Sequence, residues 1–404
     1  MRRGWLGARF WTLWAATSSA NLGDGLSLTA FPLLSIALTD DARLIALVNV
    51  GRFLPFVLLG LPLGLLVDRF DRRLLAIGAQ LLRGSVIGVL TFIVATDRAS
   101  IGLLVITAFV VGLGEVLTDS GVPAMIRGVV DVEQLEVANA RLAAAQSATN
   151  LLVGPALGAA LFVIDPAVPF AAVSVMFFIA AGFLVLLAGP FEPPPADDAH
   201  DHPFRQVTRG LRYVWGHEVL RPLALTVAVF AFVGEAGNAV FVLLATERLG
   251  LGEIGFGLLF SVDALASFVA AFFVTRLVAK VGHAGSMRLA MAMFATSALM
   301  LGLTQSIAVA VAAAVVSGIS DPTWNVVSTT IRQRLVPDEV FGRMMTAYLF
   351  IAWGMQPAGA FLGGVVAEAF GPQWVYLLSA PIMMAMIVFA RPLFAAVRRS
   401  MAPQ

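Results

Sequence analysis

The stretch GLPLGLLVDRFDRR, residues 60–73, carries an apolar run straight into a cluster of charge. Residues 53–67 are apolar enough to lie in hydrocarbon, whereas Asp68, Arg69, Asp71, Arg72 and Arg73 are too costly to follow them in. The stretch therefore marks a membrane surface and a short turn between two spanning helices.

The rest of the 404-residue chain agrees, with 59% hydrophobic and 13% charged residues and a mean hydropathy of +0.90. A soluble domain carries about 25% charged residues. Without water in the bilayer core, backbone polar groups must pair within the segment, which leaves helices or a closed barrel. Apolar runs of roughly 20–28 residues without polar alternation exclude the barrel. Twelve such runs follow one another: 10–38, 44–67, 74–96, 101–126, 137–164, 168–187, 220–246, 254–278, 289–305, 307–331, 340–369 and 374–396. The first is too long for a signal-peptide core and is kept as a helix. An even number places both termini on one side. Nearly all arginines fall on that side and only Arg43, Arg98 and Arg248 on the other, so the termini and the Asp68 turn are expected to be cytoplasmic. The net charge of +1 says little about partners, no basic tract offers itself to nucleic acid, and the absence of cysteine excludes disulfides and cysteine metal sites.

Residues 189–204, GPFEPPPADDAHDHPF, suit an exposed linker, followed by an amphipathic helix over 205–215. His200 and His202 either hold a metal loosely or are solvated with the rest of the linker; no metal site is assigned. The expected organisation is a six-helix bundle over 1–188, a linker over 189–218 and a second six-helix bundle over 219–404. The halves repeat. Gly23-Asp24 matches Gly234-Glu235, Val67-Asp68-Arg69 matches Val274-Thr275-Arg276, Gly112 and Glu115 match Gly318 and Asp321, and Gly154, Leu157 and Gly158 match Gly359, Leu362 and Gly363. Tandem membrane halves point to a transporter with its site near the midplane.

Ionisable residues at membrane depth are the sharpest chemical signal, since each costs about 2.5–3.5 kcal/mol at a helix centre and needs a partner or water. Asp24, Arg52, Arg83, Glu115, Asp119, Glu235, Asp263 and Asp321 qualify. Asp24 lies roughly 21 Å along its helix, near the midplane. In the first half Arg52 and Arg83 are candidate partners for Asp24 and Glu115, so those acids are either structural pairs or functional groups. In the second half no arginine or lysine is expected deep in a span, which favours proton handling by Glu235, Asp263 and Asp321. Asp119 sits one turn beyond Glu115, at the level of Arg72 and Arg73. Glycines four apart, Gly60/Gly64, Gly154/Gly158 and Gly359/Gly363, permit close helix approach. Phe31, Phe230, Phe241 and Trp324 are either a cavity wall or packing.

The turn at Gly64, Leu66, Asp68, Arg69, Arg72 and Arg73 resembles the major facilitator superfamily signature Gly-x-Leu-x-Asp-Arg-x-Gly-Arg-Arg/Lys, and the resemblance covers essentially the whole chain. Asp71 replaces the second glycine, as in the drug–proton antiporter branch that includes macrolide and enterobactin-type exporters. Gly154-Pro155-Ala156-Leu157-Gly158 is similar to the antiporter motif Gly-Pro-x-x-Gly-Gly, with Ala159 in place of the last glycine. The resemblance implies an all-α membrane protein, twelve helices in two pseudo-symmetric bundles, with spans 1, 4, 7 and 10 lining the cavity. It implies that spans 2, 5, 8 and 11, with Gly154, Pro155, Gly158, Gly359 and Gly363, form the contact between halves. Gly64, Asp68, Arg69, Arg72, Arg73 and Asp119 are implied to form a cytoplasmic gate, while Asp24, Glu115, Glu235, Asp321 and Asp263 serve substrate and proton coupling. The function expected is proton-coupled export of an amphipathic small molecule by a monomer in the bacterial inner membrane. A proton symporter importing a polar nutrient and a non-transporting assembly protein are the alternatives. No phosphate-binding loop and no convergent Ser/His/Asp set exists in the sequence, so neither an enzyme nor a cofactor is expected.

Overall fold

The computed structural model describes residues 6–189, 191 and 203–400; the side chains of residues 61, 64, 65, 68, 123, 124, 132, 203–207, 338, 339, 342 and 343 lie outside that description. Gly64, the side chain of Asp68, and His200 and His202 of the linker therefore lie outside the described residues and side chains. Among the described residues there is no strand, and twelve helices are long and apolar enough to cross a membrane. In order the helices are α1 Ala8–Leu38, α2 Ala42–Arg69, α3 Arg72–Ala95, α4 Ile101–Ile126, α5 Leu135–Gln146, α6 Gly154–Ile164 and α7 Ala167–Leu186. After the linker come α8 Pro203–Gly216, α9 Leu220–Leu243, α10 Glu253–Ala271, α11 Val274–Leu303, α12 Ile307–Leu335, α13 Asp338–Phe370, α14 Pro372–Phe389 and α15 Arg391–Ser400.

The described residues form two compact units. The first holds α1, α2 from Gly51 onward, α3 to α7, and the start of α10 up to Ser261; the second holds residues 41–50 and the remainder. Within the first, α1 packs on α6 and α7, and α3 on α4 and α7; within the second, α9 packs on α13, and α11 on α12 and α14.

Polar side chains close the helix ends. Asp71 accepts from the backbone N–H of Arg73 at 2.8 Å and of Leu74 at 3.2 Å, capping α3. Its φ of −55° needs no glycine, which explains how an aspartate stands where the resembled signature has one. Asp41 receives the Arg43 N–H at 2.8 Å and its guanidinium at 2.7 Å, contacts that pull its carboxyl down to about 2. His217 Nδ1 accepts from Val219 N–H at 3.1 Å, and burial lowers the pKa of this imidazole, keeping the nitrogen free to cap α9.

Several boundaries differ from those read in the sequence. Span five is one continuous helix, Leu135–Ile164, but Ser147–Val153 within it is π-helical. Pro155 follows at once and has no N–H to donate to the preceding turn, and Ser261 supplies a hydroxyl to the Leu152 carbonyl at 2.7 Å. The last span ends at Phe389, and α15 is a separate amphipathic helix that buries Leu393, Phe394, Ala396 and Val397. The amphipathic helix expected over 205–215 is α8, which packs against α13, buries Val214 and leaves Arg209 and Arg212 exposed.

The turn equivalent to residues 68–73 is also displaced. Val274, Thr275 and Arg276 are helical, and α11 breaks at Gly282, where φ is 73° and ψ 170°. Val262, Ala266, Val269, Phe273, Val274 and Leu277 line one groove of about 550 Å³, so a single helical face runs from α10 across Phe272 into the start of α11. The break at Gly282 lies at the same sequence separation from Asp71 that relates Glu235 to Asp24. An unbroken apolar run hid the interruption at Phe272. Gly282→Ala is expected to cost about 1–3 kcal/mol, since that φ/ψ region is all but closed to side chains. Chemical unfolding of the purified protein would measure it, and an unchanged midpoint would refute the constraint.

Candidate functional site

In the first unit the embedded charges are paired. Arg83, 1% exposed, donates to Asp24, 8% exposed, and its guanidinium lies 4.0 Å from the Phe177 ring centroid. Gly114 gives it room, because a Cβ there would stand 2.6 Å from the Arg83 Cδ. Arg52 Nη2 reaches Glu115 Oε1 at 3.2 Å and its Nε reaches Oε2 at 3.3 Å. Gly112, one turn before Glu115, sits against the Arg52 carbonyl. Each of these charges is thus neutralised by a neighbouring helix, as a low-dielectric site demands.

A cavity of about 390 Å³ opens beside the Asp24–Arg83 pair, lined by α1, α3, α4, α5 and α7. Asn21, Gln80, Asp119, Asn139 and Gln146 supply its polar lining. Asp119 is exposed and lines this cavity; among the described residues it forms no ion pair. Arg73, with Arg72 one of its two expected gate partners, instead donates to the Leu184 carbonyl at 2.8 Å and to the Val185 carbonyl. Arg69 is exposed, and the Nε of Arg72 is buried without a hydrogen-bond partner among the described residues.

The second unit repeats the geometry with different charges. Gly318 sits against the Asp263 carbonyl as Gly112 does against that of Arg52, and Asp321 follows Gly318 as Glu115 follows Gly112. The structural counterpart of Arg52 is therefore Asp263. Where the first unit has an arginine and a glutamate, the second has two aspartates, and among the described residues neither forms an ion pair. Ser317 hydrogen-bonds Asp263, which is half-buried; Asp321 is exposed. Glu235 is 8% exposed and receives the Asn238 amide at 3.4 Å on both oxygens. Two residues along α9, Tyr376 donates to the Gly237 carbonyl at 2.8 Å.

The glycine motifs bring helices together inside each unit. A Cβ on Gly154 would lie 2.5 Å from the Gly25 Cα, and one on Gly158 would lie 2.6 Å from the Leu26 carbonyl, so α6 presses on α1. Thr29 donates to the Pro155 carbonyl at 3.0 Å across the same contact. Gly359 and Gly363 press equally closely on the Phe232 and Ala236 carbonyls of α9. On its other side α6 meets Gly257 of α10, whose Cβ would stand 2.6 Å from that of Ala159 and 2.7 Å from the Pro155 carbonyl. Among the described residues Gly60 has nothing within 4 Å.

Sequence reading missed two features. Arg332, expected beyond the end of span ten, lies within α12 at 6% exposure, 3.9 Å from the Tyr348 ring centroid, donating to Thr329 Oγ1 at 2.9 Å. It is a buried arginine in the second half, where none was expected. The polar cavity lining was missed because amides carry no formal charge, although Gln80 and Arg83 lie three apart on α3 and share a helix face. The aromatic residues resolve as packing: Phe230 stacks on Trp324 at 4.7 Å, and Phe31 meets Phe170 edge-on at 5.4 Å.

The sequence model of the family described as transmembrane secretion effector matches residues 7–401. The chain is 23% identical over 397 residues to macrolide efflux protein A of Streptococcus pyogenes, covering 94% of each. It is 24% identical over 408 residues to the multidrug efflux pump Tap of Mycobacterium tuberculosis, covering 93% of this chain and 91% of that one. Among solved structures, the nucleoside transporter NupG shares the fold at a TM-score of 0.76 and 11% identity, covering 96% of this chain and 99% of that one. A bacterial homologue of the iron transporter ferroportin does so at 0.74 and 16%, covering 96% and 98%. With its twelve spans and a match over nearly its whole length, the chain is a multi-pass membrane transporter, not an enzyme, and belongs to the transmembrane secretion effector family of the major facilitator superfamily.

Proposed function

We propose that the protein exports an amphipathic small molecule from the bacterial cytoplasm in exchange for protons, by alternating access, as a monomer with both termini cytoplasmic. The efflux names of its relatives support the direction. The observation that carries the coupling is the charge difference between equivalent positions, Arg52 with Glu115 in one unit and Asp263 with Asp321 in the other. A carboxylate held by an arginine has a fixed partner. Two carboxylates without a cation are suited to take up and release a proton as their surroundings change between wet and dry. Glu235, buried on α9 and hydrogen-bonded by Asn238, is a further acid of the second unit assigned to the coupling.

The test is uncoupler-sensitive efflux of a macrolide and of a fluorescent dye from a pump-deficient bacterial host. Asp321→Asn and Asp263→Asn are each expected to lower energised efflux at least tenfold, while leaving yield and monodispersity at the wild-type level. Wild-type efflux rates in both variants would exclude this coupling site, and uptake driven by external acid would reverse the direction.

A further inference from the structure

The cavity of the first unit has a charge and a hydrogen-bonding bias that the coupling argument does not use. Three ionisable side chains line it, and two are paired: Asp24 is bound to Arg83, itself 1% exposed and held against the Phe177 ring. The Arg52–Glu115 pair nearby is likewise neutral. Asp119 is left as the one ionisable side chain on the cavity that forms no ion pair among the described residues, and it is exposed. Gln80 reinforces the bias. It is 3% exposed, lines the same cavity, and its Oε1 is buried with no hydrogen-bond partner among the described residues. A buried acceptor left unpaired is expensive, so its persistence beside a cavity calls for a donor that arrives with a ligand.

A carboxylate and an amide oxygen both accept hydrogen bonds, and neither can satisfy the other. The ligand group that serves both is a cation bearing N–H bonds. We propose that Asp119 and Gln80 form a subsite for the protonated amine of the cargo, with the amides of Asn21, Asn139 and Gln146 serving its neutral polar groups. A volume of about 390 Å³ holds the polar end of an amphipathic molecule. The Arg83–Asp24 pair forms the neutral floor of the subsite, which lets α1 and α3 approach it without adding a competing charge. This inference rests on the export reading for its cargo, and it gives Asp119 a ligand-binding role.

The experiment measures binding to the purified full-length protein in nanodiscs, with no pH gradient. The probes are dansylcadaverine, a fluorescent primary amine, and its N-acetyl derivative, which has the same skeleton without the charge. The wild type is expected to bind the amine at least tenfold more tightly than the acetylated form. Asp119→Asn should abolish that preference, Asp119→Glu should retain it, and Gln80→Leu should weaken amine binding severalfold more than binding of the neutral analogue. A wild type with no preference, including one that fails to bind the amine, overturns the proposal, as does an Asp119→Asn variant that keeps the preference or weakens both probes equally. Because the readout needs no transport, failed efflux in cells with intact amine selectivity would count against export alone, and lost selectivity with intact efflux against the subsite alone.

Discussion

Arg83→Leu is expected to lower the stability of the purified protein by about 3–5 kcal/mol, the penalty for leaving the partner of a buried ion pair without its counter-ion. Asp24 is 8% exposed, and the guanidinium that neutralises it is wedged over Phe177. The double variant Arg83→Leu with Asp24→Leu should recover most of the loss, because an apolar pair of similar volume removes both desolvation costs. Guanidinium unfolding of the three variants and the wild type completes the cycle. A single variant within about 1 kcal/mol of wild type would mean that Asp24 is solvated or neutral in the native protein.

The second large effect is steric. Gly359→Leu must push α13 away from α9, because its Cβ would overlap the Phe232 carbonyl and a backbone group cannot rotate aside. Overpacking of an ordinary core costs about 1–3 kcal/mol, and a clash with main chain belongs at or above the top of that range. Gly363 makes the same contact with the Ala236 carbonyl one turn later, so the strain has no local outlet. Gly60→Leu is the matched control, with the same added volume and nothing within 4 Å. Equal thermal midpoints in the two variants would show that close approach at Gly359 is not required.

The fold was legible because hydrophobic length is a one-dimensional property: twelve apolar runs and one charged turn at residues 68–73 were enough. Charge partners were partly legible, since Arg52, Arg83, Asp24 and Glu115 lie in different spans and only packing could say which arginine takes which acid. The counterpart of Arg52 was not legible, because Asp263 is recognised by its place against Gly318 and not by similarity. Motifs confined to one helix misled in a different way. Ala159 reads as a defect in the Gly-Pro pattern, yet the missing space is supplied across the helix pair by Gly257. Arg332 was misplaced because a charge near a span end looks like a boundary, whereas α12 continues to Leu335.

The aspartate pair also bears on how the chain is made. Asp263 lies near the middle of α10, a helix of 19 residues, and α10 must enter the bilayer before α12 has been synthesised. At a helix centre an aspartate opposes insertion by about 2.5–3.5 kcal/mol, while each Leu, Ile, Phe or Val returns roughly 0.3–0.6 kcal/mol. Ile254, Phe256, Leu258, Leu259, Phe260, Val262, Leu265, Phe268 and Val269 together do little more than balance it. The helix therefore sits close to the insertion threshold. Leu265, 52% exposed, and Phe268, 50% exposed, contribute to that balance from the outer surface of α10. Polar substitutions at those two positions act through biogenesis: they reduce the amount of protein that reaches the membrane, while each molecule that does reach it turns over normally.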